Sequence, residues 1–189
     1  MGKLCNGGLI KMSETRVDPT VAGLFLVGFI TLVFGIAGIQ MFNDGFGSSD
    51  ILAAAGFLIV PVSVVILIFA YMAGKAGNAF AVALFAYIAV TLFGAAKFLG
   101  DEPMLFYIVA FFYVIFAVVA FLIGAPKLLG ILLILVALIF LFMGFAFAVS
   151  GGGGDTEGYC VAFGLFGILS FLVATYMAIA LATQKFPVM

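Results

Sequence analysis

From its N-terminus the chain alternates long apolar runs with short polar breaks. Residues 1–18 are polar and carry Lys3, Lys11, Glu14, Arg16 and Asp18. An apolar run follows to about Phe42 and stops at Asn43-Asp44-Gly45-Phe46-Gly47-Ser48-Ser49-Asp50. Later breaks are Gly74-Lys75-Ala76-Gly77, the segment Lys97 to Pro103, Gly124-Ala125-Pro126-Lys127, and the glycine-rich stretch Ser150 to Gly158. Gly, Pro, Asn and Asp clusters of this kind mark turns. The runs between them are continuous rather than alternating, and each is about 20 residues or longer, the length a helix needs to cross a bilayer. A membrane β-barrel would instead show segments of ~10 residues with every second side chain polar. The pattern therefore predicts an all-α integral membrane bundle of six transmembrane helices, at about 19–42, 51–73, 78–98, 103–123, 128–149 and 159–183. They form one transmembrane domain, 19–184, between an N-terminal tail, 1–18, and a short C-terminal segment, 185–189.

Local chemistry sets the ends. Asp18 is a good N-cap and Pro19 suits the first helical position. Asn78 is placed to cap the third helix. Pro61 interrupts the second and frees the carbonyl of Phe57, which either faces a pore or is satisfied by a neighbouring helix. The first run is too long for the apolar core of a signal peptide, so no cleavage is expected.

Composition explains why these runs cannot be the core of a soluble domain. Of 189 residues, 67% are hydrophobic and 8% charged, with mean hydropathy +1.46; ordinary soluble domains carry about 25% charged residues. Charge also orients the chain. With six spans, Lys3, Lys11, Arg16, Lys75, Lys127 and Lys185 share one side and only Lys97 falls on the other, while Asp44, Asp50, Asp101, Glu102, Asp155 and Glu157 gather on that other side. Basic residues favour cytoplasmic loops, so a multi-pass cell-membrane protein with both termini cytoplasmic is expected. Cys5 and Cys160 then lie near opposite faces, and no disulfide between them is expected.

The absences narrow the chemistry. No charged residue falls inside an apolar run, and the chain has no His. Ion-coupled pumps carry protons or cations on intramembrane carboxylates, Lys or His, and a Ser/His or Cys/His nucleophile requires the His. Neither an enzyme nor a metal or cofactor site is expected, and a net charge of −1 leaves no footprint for nucleic acid. The polar groups inside the runs are Thr31, Gln40, Ser63, Tyr87, Thr91, Tyr107, Tyr113, Ser170, Thr175 and Tyr176. Each hydroxyl either bonds its own helix or a neighbour or lines a narrow path. Small residues, Gly23, Gly28, Gly35 and Gly38 on the first helix, Ala79 and Ala83 on the third, and Ala174, Ala178 and Ala182 on the sixth, allow close helix contacts. Most of the 24 Phe face lipid or pack between helices, and a few form an apolar gate if a pathway exists.

Two motifs resemble the acetate uptake transporter family, the succinate–acetate permeases. The family signature Asn-Pro-Ala-Pro-Leu-Gly-Leu aligns with Asp18-Pro19-Thr20-Val21-Ala22-Gly23-Leu24, which keeps the Pro, Gly and Leu. The family stretch Lys-Gly-Asn-Thr-Phe, followed by Phe-x-Ser-Tyr-Gly, aligns with Gly77-Asn78-Ala79-Phe80 and then Phe85-Ala86-Tyr87. Departures are Asp18 for Asn, Val21 for the second Pro, Ile88 at the ungapped position of the family Tyr, the absence of Trp, and Ala73 and Leu181 where family members often carry acids. The resemblance implies a divergent member that carries a small monocarboxylate, most simply acetate, by a channel-like or proton-linked pathway through each protomer. It also implies homo-oligomers, hexamers in the family, surrounded by lipid. By carry-over the constriction falls at Val27, Ile88 or its neighbour Tyr87, and Val136. Gly23 and Leu24 belong to the helix 1 signature, and Gly77, Asn78, Phe80 and Phe85 to the helix 3 motif. The alternatives are a membrane subunit that does not transport but packs with a partner protein, and a channel for a different neutral solute.

Overall fold

The computed structural model describes residues 19–45, 50–98 and 103–183. Asp18, Cys5 and both terminal segments lie outside the described residues. Those described form six helices: α1 Pro19–Asp44, α2 Asp50–Lys75, α3 Ala79–Phe98, α4 Pro103–Leu122, α5 Lys127–Gly151 and α6 Glu157–Thr183. Five of them are long and apolar enough to cross a membrane. The described apolar part of α3, Ala79–Gly94, is shorter, although the whole helix has 20 residues, about 30 Å at 1.5 Å per residue.

The breaks anticipated from Gly, Asn and Pro act as physical stops. Asn78 Oδ1 accepts the Ala81 N–H at 3.0 Å and so caps α3. Asp155 Oδ1 accepts the Glu157 N–H at 2.9 Å at the start of α6. α2, α4 and α5 end in one common turn. In each, a glycine with positive φ (Gly77, Gly124, Gly153) bonds back three residues and its successor bonds back five. This pairing satisfies carbonyls that a helix end leaves orphaned, and it needs the left-handed backbone glycine adopts without strain.

Side chains then decide how the helices pack. α1 lies between α6 and α2; α2 packs on α3, α4 on α5, and α5 on α6. α3 meets α4 through side chains: Tyr87 Oη donates to the Val109 carbonyl at 3.1 Å, and the Phe80 and Phe116 rings lie 6.3 Å apart. The six helices therefore close a ring in chain order. The tightest seam joins α1 to α6. A methyl added at Gly38 would stand 2.6 Å from Gly164 Cα, and one at Gly167 2.6 Å from Gly35 Cα. Backbone meets backbone there, the close approach that small residues permit between membrane helices. Of the anticipated alanine stripe, Ala174 and Ala178 are buried on α6 and Ala182 is exposed, as are Ala79 and Ala83 on α3.

The outside of the ring is apolar. Phe57 (85% exposed), Leu122 (80%), Phe111 and Leu172 project outward with many other aliphatic and aromatic side chains. A surface this continuous has no aqueous rationale and matches a hydrocarbon surround. Pro61 is exposed on α2, and Phe57 faces outward one turn before it. The proline therefore lies on the outer surface.

Candidate functional site

Inside the ring, α1, α3 and α5 surround a cavity of about 340 Å³. All three begin at the same end of the bundle. Thr20 near the start of α1, Asn78 at the cap of α3, and Ala125 and Pro126 ahead of α5 border the cavity there, with Leu181 from the end of α6. Asn78 is exposed, so this end is a mouth. From Thr20 the lining descends α1 through Leu24, Val27, Ile30 and Thr31 to Phe34, fourteen residues or about 21 Å.

Val27, Ile88 and Val136 all border this one cavity, from α1, α3 and α5 respectively, and each is largely buried. Leu24, Phe80 and Phe85 also line it. Tyr87 does not. It points to α4, where its hydroxyl bonds Val109 and its ring packs 5.1 Å from Tyr113 and 5.2 Å from Phe116. Of the two neighbours named for the constriction, Ile88 is the one in the cavity. Gly23 is placed by α3: a methyl there would stand 2.5 Å from the Phe85 ring, so the glycine makes room for an aromatic wall. Pro19 is the first residue of α1, and Gly77 supplies the left-handed turn before Asn78.

The lower end of the cavity is closed by rings that the motifs did not single out. Phe34 lies edge-on to Phe140 at 6.3 Å and tilted against Phe163 at 6.0 Å, while Tyr113 stacks on Phe140 at 5.5 Å. These residues come from α1, α5, α6 and α4. Edge-on and offset arrangements of this kind are favourable aromatic geometries, so the layer is a packed plug. Helical spacing carried a signal for it. Phe34 lies seven residues beyond Val27 and Phe140 four beyond Val136, which places each on the face of the predicted constriction residue, one or two turns deeper.

The polar groups of the spans are mostly satisfied within their own helices. Thr31 donates to Gly28 O at 2.9 Å, Ser63 to Val60 O at 2.6 Å and Thr91 to Ile88 O at 2.9 Å, all three residues back. Thr91 Oγ1 also lies 3.3 Å from Tyr113 Oη. Ser170 is fully buried without a hydrogen-bond partner, on α6 away from the cavity lining. Among the described residues lining the cavity none is charged, and among the described residues no three His, Cys, Asp or Glu side chains stand together. What this arrangement provides is an uncharged, steeply apolar well with polar groups at its mouth (Thr20, Asn78) and near its base (Thr31, Tyr113).

No protein-family model, curated protein or solved structure matches this chain.

Proposed function

We propose that this protein is a six-span membrane transporter that carries a small monocarboxylate such as acetate through each protomer, by a channel-like or proton-linked route. The observation that carries the reading is the cavity at the centre of the ring, lined by α1, α3 and α5 and free of charged side chains among the described residues. Its size suits a solute of a few heavy atoms. Its mouth suits an anion: three helices start there, and helix N-termini carry partial positive charge. The N-cap of α5, Pro126, supplies no side-chain hydrogen bond, and exposed Lys75, the last residue of α2, and Lys127, the first of α5, stand at the same end. An apolar well then favours the neutral acid over the carboxylate, because burying an unpaired charge is costly. Co-movement of the solute's own proton meets that requirement without an intramembrane carboxylate. The motif resemblance to acetate uptake transporters points the same way, and in that family the protomers assemble as hexamers. α3 is the sixth span in this reading, and the mouth is cytoplasmic by the distribution of basic residues.

Uptake of radiolabelled acetate into proteoliposomes holding only this protein, with a pH gradient of either sign, tests the function. Saturable uptake blocked by excess unlabelled acetate or succinate is the expected result. No uptake from folded protein turns the reading toward a partner-bound subunit or another solute. Orientation is tested separately by thiol labelling of intact cells. Cys160 is fully buried and will not report, so Gly158→Cys and Ala76→Cys, both at exposed positions, serve in a Cys5→Ser background. An impermeant reagent labels Gly158→Cys and spares Ala76→Cys if both termini are cytoplasmic.

A further inference from the structure

A second crevice, of about 400 Å³, lies between α3 and α4 and is lined by Val90, Thr91, Gly94, Leu105, Phe106 and Val109, with Phe140 at its back. It belongs to the opposite half of the bundle from the mouth. Leu105 is two residues from the start of α4 and Gly94 four from the end of α3, so its lining reaches within about 6 Å of those helix ends at 1.5 Å per residue. Phe140 borders both this crevice and the central cavity. Tyr113 borders only the cavity and Thr91 only the crevice, and their hydroxyls lie 3.3 Å apart. Phe140, within the aromatic layer it forms with Phe34 and Tyr113, and one hydroxyl pair therefore stand between the well and a crevice whose Val90 and Leu105 are exposed on the outer face of the ring.

We propose that Phe140 and the Tyr113–Thr91 hydroxyl pair are the gate of the pathway: Phe140 is the movable partition, and the hydroxyl pair receives the solute's carboxyl group as it passes from cavity to crevice. The inference rests on the transport reading for its solute, but the partition itself does not depend on it. The hydroxyl geometry suits either form of an acid. Thr91 commits its only proton to the Ile88 carbonyl, so Tyr113 is the donor in the contact between them. By turning its O–H away from Thr91, Tyr113 donates to a carboxylate. Left as it is, it offers its oxygen lone pairs to the O–H of a carboxylic acid. Both hydroxyls are buried, where a polar contact discriminates most. The Phe140 ring is held by a face contact to Tyr113 and an edge contact to Phe34, contacts that a change of rotamer would break.

Two measurements test this together. In acetate uptake, Tyr113→Phe and Thr91→Val are expected to lower flux by about tenfold, the scale of one lost buried hydrogen bond, with the fold intact. Phe140→Ala, or the milder Phe140→Leu, is expected to raise flux and admit longer monocarboxylates. Acetate flux in the wild type with all four variants unchanged overturns the gate while leaving the transport reading standing. If the wild type carries no acetate, the solute assignment falls and a second readout decides the partition. A cysteine placed at Leu133, inside the cavity, is offered a small charged thiol reagent from the crevice side only. The gate requires that it stay unmodified beside Phe140 and react in Phe140→Ala or Phe140→Leu; equal reaction with and without Phe140 removes the gate.

Discussion

The two faces of α1 make opposite use of one helix. On the side toward α6, Gly35 and Gly38 meet Gly164 and Gly167 so closely that no added methyl fits. On the other side, Leu24, Val27, Thr31 and Phe34 border open space. Helix propensity and hydropathy do not distinguish these faces, because both are apolar. What differs is side-chain volume: the seam is built by removing side chains, the cavity by side chains that stop short of one another. Without a hydrophobic force between helices in lipid, packing holds the bundle together, so the seam should carry stability and the cavity selectivity. An identical increase in volume should then have different consequences on the two faces.

The largest effect is expected at the seam. Gly38→Val pushes against Gly164 backbone, which cannot rotate away, and should cost about 3 kcal/mol or more. For a chain of this length that lowers the melting temperature of detergent-solubilised protein by roughly 6–12 °C, and an unchanged Tm would break the comparison. Val27→Trp adds volume to the cavity instead. It should leave Tm near wild type and, at about 1–3 kcal/mol of added obstruction, reduce acetate uptake by roughly ten- to a hundredfold. Unchanged flux would show that Val27 is not on the path. Tyr87→Phe removes the bond to Val109 at the outer rim of α3 and should cost about 0.6 kcal/mol with flux preserved, whereas Ile88→Trp should impair flux; the reverse result would exchange the roles of these neighbours. The smallest effect separates positions within the seam. A methyl at Gly28 meets Ala174 and Thr175 at an ordinary 3.4 Å, so Gly28→Ala should be neutral or gain about 0.5–1 kcal/mol from helix propensity, while Gly38→Ala should lose stability in the same thermal assay.

The helices were legible because turn chemistry and apolar length act locally. Pro19, Asn78, Pro103 and the Gly77 and Gly124 turns lie where the breaks placed them, and each observed helix end falls within about two residues of the expected one. Lateral arrangement was less legible, because apolar side chains serve lipid, seam and cavity alike. The glycines of α1 showed that something approaches closely, but Gly164 and Gly167, which receive them, sit in a run that reads as ordinary span. Three positions carried over from the family resemblance, Val27 and Ile88 beside its motifs and Val136 on a helix with no motif, fall on one cavity. The deeper aromatic layer was only partly legible: helical spacing puts Phe34 and Phe140 on the face of Val27 and Val136, but which rings close the layer is decided by four helices meeting. Which hydroxyls bond within their own helix and which cross, as Thr91 and Tyr87 do, is likewise decided by tertiary distance.

The blind end of the cavity has an electrical consequence. The well occupies about 21 Å of an α1 that is 26 residues, or about 39 Å, long. Once water fills the mouth, a membrane voltage falls mainly across the closed remainder, where the dielectric is low. Each elementary charge moved through 100 mV is worth about 2.3 kcal/mol, so under the proposed transport a bare carboxylate would meet most of that in the step past Phe34 and Phe140, and a protonated acid would meet none. Measured in volts, the barrier would then be about half as thick as the helices are long, and under the proposed transport the voltage dependence of flux would report which form of the solute makes the crossing.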